Sequence, residues 1–134
     1  MIVVDATVVA NAVGDDGEDG RVAREALASD EDLSAPDHVD VETVAVLRRR
    51  WLAGDLTARR FSSAVDDLKD LAIDRYPLLP LMRRAYELRN NVTAHDAAYV
   101  ALAEALDCVL VTGDVRLSTA PGTRCEIRLL ERAE

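Results

Sequence analysis

Four acids stand where apolar runs begin or end: Asp5 closes IVVD, Glu42 lies within HVDVETVAVLRRRWL, Asp96 enters TAHDAAYVALAEAL, and Asp114 closes VLVTGD. Carboxylates gathered in one pocket repel one another and push up their own pKa values, a penalty that a bound cation removes. Magnesium prefers oxygen ligands and keeps several waters, so a few such side chains suffice to hold it. A cation held in this way can activate a bound water. Each acid also has a plainer reading. Thr93-Ala94-His95-Asp96 matches the capping pattern in which an acid supports a helix start, and taken alone that reading is the better one for Asp96. Glu42 near the start of a helix needs no special role, and Asp40 beside it serves equally well as a solvated acid. A Glu among Val39, Val41 and Val44 would nevertheless be partly desolvated unless it met a cation.

The elements that must position these acids follow from periodicity. Ile2-Val3-Val4 and Cys108-Val109-Leu110-Val111 read as strands buried on both faces, and Cys125 to Leu129 as a last strand after the Pro121-Gly122 turn. Leu33-Ser34-Ala35 and Ala72 to Arg75 are weaker strand candidates. Thr7 reads as the cap of a helix that Gly14 stops, and a second helix is expected from about Arg21 to Ala28. Asp37 to Ala53 and the segment from Phe61 to Ala72 form a helical hairpin turning at Gly54-Asp55; a helix with Leu81, Ala85 and Leu88 and another over Thr93 to Leu106 complete the series. Strands alternating with helices call for an α/β domain with a parallel sheet covered on both faces, and 1–134 reads as one such domain. In such sheets ligands bind beyond the carboxyl ends of the strands. If the IVV and VLV strands are neighbours, Asp5 and Asp114 open into one crevice.

Composition narrows the function classes. With 49% hydrophobic and 31% charged residues the chain resembles an ordinary globular protein, without a membrane-spanning run or a basic leader, so a cytoplasmic location is expected. Cys108 and Cys125 read as small core residues. His38 and His95 receive no role. The acids outnumber the bases, 25 against 16, which taken alone counts against nucleic-acid binding. Much of the negative charge lies in Gly14 to Gly20 and Ser29 to Asp32, read as solvated loops, and the bases are nearly all arginines clustered at Arg48 to Arg50, Arg59-Arg60 and Arg83-Arg84. Such clusters are more often solvated helix surface than contacts to phosphate.

Taken in order, IVVDAT, VETVAVLRRR, HDAAYVALAEAL and LVTGDVRL resemble the PIN-domain ribonucleases, and in particular the VapC-type toxins of bacterial toxin-antitoxin pairs, over essentially the whole chain. The resemblance implies a PIN-like three-layer α/β/α sandwich with a mostly parallel sheet of about five strands. It also implies an endoribonuclease dependent on Mg2+ or Mn2+ that leaves a 5'-phosphate and a 3'-hydroxyl, a cognate antitoxin and a homodimer. Its acidic site falls on Asp5, Glu42, Asp96 and Asp114, with Thr7 and Thr112 as supporting hydroxyls. On this reading Asp5 and Asp96 hold the principal ion, Asp114 lies near it or at a second site, and Glu42 orients or deprotonates the attacking water. Arg116 stands where some relatives carry a further acid. A response-regulator receiver domain would need a lysine at a late strand end, whereas Lys69 lies in a helix; a haloacid-dehalogenase-type phosphatase would need an acid where Thr7 stands. From a different class, a catalytically inert module that only binds an antitoxin or another partner has the same sequence signature.

Overall fold

The strand Ile2–Val4 (β1) forms because three β-branched residues in a row suit a pleat packed on both faces; Val3 and Val4 are wholly inaccessible. In the computed structural model, which describes residues 1–29 and 32–131, β1 is the centre of a parallel sheet. It is followed by helices Ala6–Gly14 (α1) and Glu18–Ala28 (α2), strand Leu33–Pro36 (β2), helices Val39–Leu52 (α3) and Ala58–Asp70 (α4), and strand Asp74–Tyr76 (β3). A short 3-10 turn at Leu79–Leu81 then leads into Met82–Glu87 (α5), Ala94–Leu106 (α6), strand Val109–Thr112 (β4), Val115–Ser118 (α7) and strand Ile127–Leu129 (β5).

The strand order is β3-β2-β1-β4-β5, with every pairing parallel. β1 pairs with β2 through Ile2 opposite Leu33 and with β4 through Val3 opposite Leu110. The chain therefore builds the sheet outward from β1 on one side and then returns to build it outward on the other. The crevice at such a reversal lies between β1 and β4, beyond their carboxyl ends. Asp5 is the first residue after β1, and Gly113-Asp114 follow β4 directly.

Two helical layers cover the sheet, completing the three-layer α/β/α sandwich. α6 packs on β1, β2 and β4 and against α5, while α1 packs against α2, α3 and α4. α6 has no polar face over Ala97 to Ala103, all of which are buried, so it has to lie inside the molecule. A smaller apolar cluster, Ala10, Val13, Leu47, Leu56 and Ala64, joins α1 to the α3–α4 hairpin. Gly54, at φ +84°, gives the left-handed turn after α3 that other residues adopt only with strain.

Several sequence expectations change at the level of local structure. The cap of α1 is Asp5 rather than Thr7: its carboxylate accepts the amide N–H groups of Thr7 and Val8, and Thr7 lies inside the helix. The acidic run after Gly14 is only partly loop, because Glu18 and Asp19 form the first turn of α2, where they face the positive end of the helix dipole. In the second acidic run, positions 30 and 31 lie outside the described residues. Cys108 and Cys125 are partly buried at the edge of the core rather than within it. Among the described residues, no helix is long and apolar enough to cross a membrane.

Candidate active site

Asp5 is the most constrained of the four acids, being only 4% exposed. Its Oδ1 accepts the Thr7 hydroxyl at 2.5 Å, together with the Thr7 and Val8 amides at 3.1 and 3.2 Å. Its Oδ2 accepts the Thr112 hydroxyl. Burial nevertheless raises its pKa to about 6; the hydrogen bonds from Thr112, Thr7 and Val8 pull the other way, and the nearby Asp96 pushes it up further. Thr7 and Thr112 also tie Asp5 to the end of β4. The Thr7 hydroxyl accepts the Gly113 amide at 2.8 Å and the Thr112 hydroxyl accepts the Asp114 amide at 3.0 Å. A side chain at position 113 would crowd Thr7 Oγ1, at 3.1 Å from an added Cβ, so glycine suits the close approach of the two strand ends.

Thr93 caps α6, its Oγ1 accepting the Asp96 amide at 3.2 Å, and Asp96 stands in the first turn with a further set of neighbours around its carboxyl. Burial raises its pKa, Asp114 and Glu42 raise it further, and the Thr93 hydroxyl and His95 lower it. Its place in the first turn of α6 puts the Asp96 carboxyl at the rim where β1 and β4 end. Asp114 caps the short helix α7, accepting the Arg116 amide at 2.9 Å, and shares with Asp96 a cleft of about 420 Å³.

Glu42 and Asp40 separate clearly. Asp40 faces outward and is taken up by Arg75, with contacts of 2.7 and 2.9 Å. Glu42 receives the Tyr99 hydroxyl at 2.5 Å and lies 3.3 Å from His38 Nε2. His38 in turn stacks on Tyr99, with ring centroids 4.7 Å apart, and its Nε2 is 3.1 Å from the His95 carbonyl. Tyr99 is fully buried, and burial followed by the adjacent Glu42 raises its pKa well above the usual phenol range, so it stays a donor. Sequence reasoning gave no role to either His38 or Tyr99. Tyr99 sits within the apolar run of α6 and reads as core, and its hydroxyl meets Glu42 only through the tertiary fold.

The structure therefore brings Asp5, Thr7, Thr112 and Asp114 into one hydrogen-bonded group, with Asp96 close enough to feel Asp5, Asp114 and Glu42 electrostatically. Among the described residues, no three His, Cys, Asp or Glu side chains form a preassembled metal cage. An all-oxygen donor set with raised carboxyl pKa values suits a hard cation that binds through one or two carboxylates and keeps its waters. The donor chemistry fits magnesium or manganese.

The family model described as PIN domain matches residues 2–122. A VapC ribonuclease of Mycobacterium bovis is 42% identical over 132 residues, covering 98% of this chain and 100% of that protein. Ribonuclease VapC1 of Mycobacterium tuberculosis is 43% identical over 129 residues, covering 96% of each. Among solved structures, Mycobacterium tuberculosis VapC20, a sarcin-ricin loop cleaving toxin, aligns with a TM-score of 0.71 at 19% identity, over 92% of this chain and 96% of that one. VapBC2 from Rickettsia felis, bound to a DNA fragment from its promoter, aligns with a TM-score of 0.67 at 16% identity, over 98% of this chain and 100% of that one.

Proposed function

The chain belongs to the PIN-domain family, and on that premise we propose that it is a metal-dependent endoribonuclease, the toxin of a type II toxin-antitoxin pair acting in the cytoplasm. The observation that carries this reading is the meeting of Asp5 and Asp96 at the crevice between β1 and β4: burial raises both carboxyls, Asp96 pushes Asp5 up further, and Asp114 and Glu42 push Asp96 up.

Asp5 and Asp96 would hold a Mg2+ or Mn2+ ion, with Asp114 beside it. Bound there, the ion supplies charge neutralisation at the phosphodiester and a more acidic water. The protein's own part is to fix the carboxylates and handle the proton. Thr7 and Thr112 lock Asp5 by donating to its two oxygens, so that it does not rotate away from the rim. Glu42 is the group that orients the attacking water and takes its proton; Tyr99 and His38 hold its Oε1 side, directing the remaining carboxylate capacity outward.

The partners follow from the same premise. The likeness to VapBC2 supports a cognate antitoxin. Trp51, at the exposed end of α3 and 44% accessible, lies tilted by 50° against Phe61 with centroids 6.5 Å apart, beside a cleft of about 390 Å³ in the helical hairpin. An aromatic left partly uncovered beside an apolar cleft suits an anchor for an antitoxin segment. A homodimer, as the family resemblance implies, completes the proposed assembly.

The deciding experiment maps RNA ends in cells producing the protein against cells producing Asp5→Ala. New ends bearing 5'-phosphates that vanish with the substitution support the reading, and an identical set of ends in both rejects it. A second reading, an inert module that works only by binding a partner, draws on the lack of a preassembled metal cage among the described residues. That reading requires no manganese binding at millimolar ion.

A further inference from the structure

The cleft shared by Asp96 and Asp114 is also lined by Arg89, Asn91 and Arg116. A chain of net charge −9 that presents carboxylates to a polyanion repels it, unless cations stand where the phosphates lie. In each of the arginine clusters conspicuous in the sequence, one member is committed elsewhere. Arg50 donates to Asn11, Arg60 pairs with Asp16, and Arg84 is bound by Glu104 and the Gly122 carbonyl. The cations that line the acidic cleft come instead from single arginines that form no run.

Arg89 is preorganised. Its guanidinium lies 4.2 Å from the centroid of the Tyr86 ring, and its Nη1 donates to the Tyr86 carbonyl at 3.1 Å. The turn that carries it is held by the Arg89 amide on the Tyr86 carbonyl and the Asn91 amide on the Leu88 carbonyl. A guanidinium has five N–H donors, and the Tyr86 carbonyl engages one nitrogen, so capacity for a phosphate remains. Arg116 is 95% exposed, and its Nε stands 3.9 Å from Asp114 Oδ1, too far for a hydrogen bond and weakly attractive in water. The cleft volume of about 420 Å³ lies within the range of pockets that hold small ligands, which leaves room for a nucleotide unit.

We propose that Arg89 and Arg116 form a backbone-phosphate subsite that holds the RNA strand beside the acidic centre. The inference rests on the nuclease reading and adds the group that overcomes the protein's own negative field. Both arginines are positioning residues. Their loss should fall on KM rather than kcat, because a phosphate held equally in ground and transition states contributes uniform binding.

The test uses a short, random-sequence, fluorescein-labelled single-stranded RNA and full-length Asp96→Asn protein as a binding background, titrated at several KCl concentrations. Adding Arg89→Gln or Arg116→Gln is expected to weaken binding about tenfold at low salt and to lower the log–log salt slope by about one. Arg89→Lys should restore the slope while leaving affinity short of the background, since an ammonium does not make the bidentate contact. The exposed Arg59 on α4 is the control, and Arg59→Gln should change neither quantity. Unaltered affinity and slope in both cleft variants would overturn the subsite while leaving the nuclease reading standing, as would an equal loss in Arg59→Gln. Failure of both the background and the wild-type protein to bind the RNA at any salt would remove the nuclease reading and the subsite together.

Discussion

The Thr112 hydroxyl donates to Asp5 Oδ2 and accepts the Asp114 amide at 3.0 Å, so one oxygen couples the acids at the ends of β1 and β4. Thr112 is fully buried. Thr112→Val keeps the shape but leaves a buried carboxylate oxygen and an amide without their partner. Stability should fall by about 1–3 kcal/mol, and RNA cleavage should fall with it. Thr112→Ser should restore most of both. Urea melts of the three proteins check this, and equal midpoints for Val and Ser would count against the coupling.

Asp5 makes stability depend on pH in a definite direction. Its carboxyl rises from an ordinary 3.8 to about 6 in the folded state, chiefly through burial. The fold therefore holds this proton more tightly than the unfolded chain does; the stabilisation is complete below the unfolded pKa and is lost as pH rises through about 6. In metal-free buffer, Asp5→Asn, which never ionises, should be close to wild type near pH 4 and gain on it above pH 6, by on the order of 3 kcal/mol at most. Denaturant melts in EDTA across that window test the sign; an advantage for Asn that shrank with rising pH would contradict it.

Tyr99 and Glu42 make a separable prediction. Tyr99→Phe preserves the ring that stacks on His38 and removes only the hydroxyl on Glu42. Stability should drop by about 1–2 kcal/mol. If Glu42 handles the proton of the attacking water, kcat should fall about tenfold or more, since a misplaced general base forfeits part of its contribution. Steady-state kinetics on a cleaved RNA decide the matter, and an unchanged kcat would reduce Tyr99 to packing.

Trp51 tests the partner surface. Because its side chain is half exposed, Trp51→Ala should cost less than about 1 kcal/mol of stability. The same change should weaken binding of the proposed antitoxin about 30-fold or more, as loss of an aromatic anchor does. Undiminished affinity by calorimetry would move the antitoxin to another face.

Much of this architecture was legible because its strongest signals are local. Ile2 to Val4 and Val109 to Val111 are apolar runs that end in acids, and their identity as strands needed no partner to reveal it. α6 was equally plain from Ala97 to Ala103. The cap at Asp5 went unseen because Thr7 is also a good capping residue, and only the fold distinguishes a hydroxyl that caps from one that donates to the cap. α7, with four residues, is too short to carry a period. The support of Glu42 by Tyr99 and His38, and the cleft arginines Arg89 and Arg116, arise from contacts between distant elements, and isolated residues within helices or turns give no sequence signal for them.

Manganese titration by calorimetry at neutral pH, with wild type, Asp5→Asn and Asp96→Asn side by side, tests the central claim most directly. Saturable binding to the wild-type protein with proton release is expected, and its loss in both variants, because the ion and the two raised carboxyls form one proposed site. Binding that survived either substitution unchanged, or no binding to the wild-type protein at millimolar manganese, would contradict it.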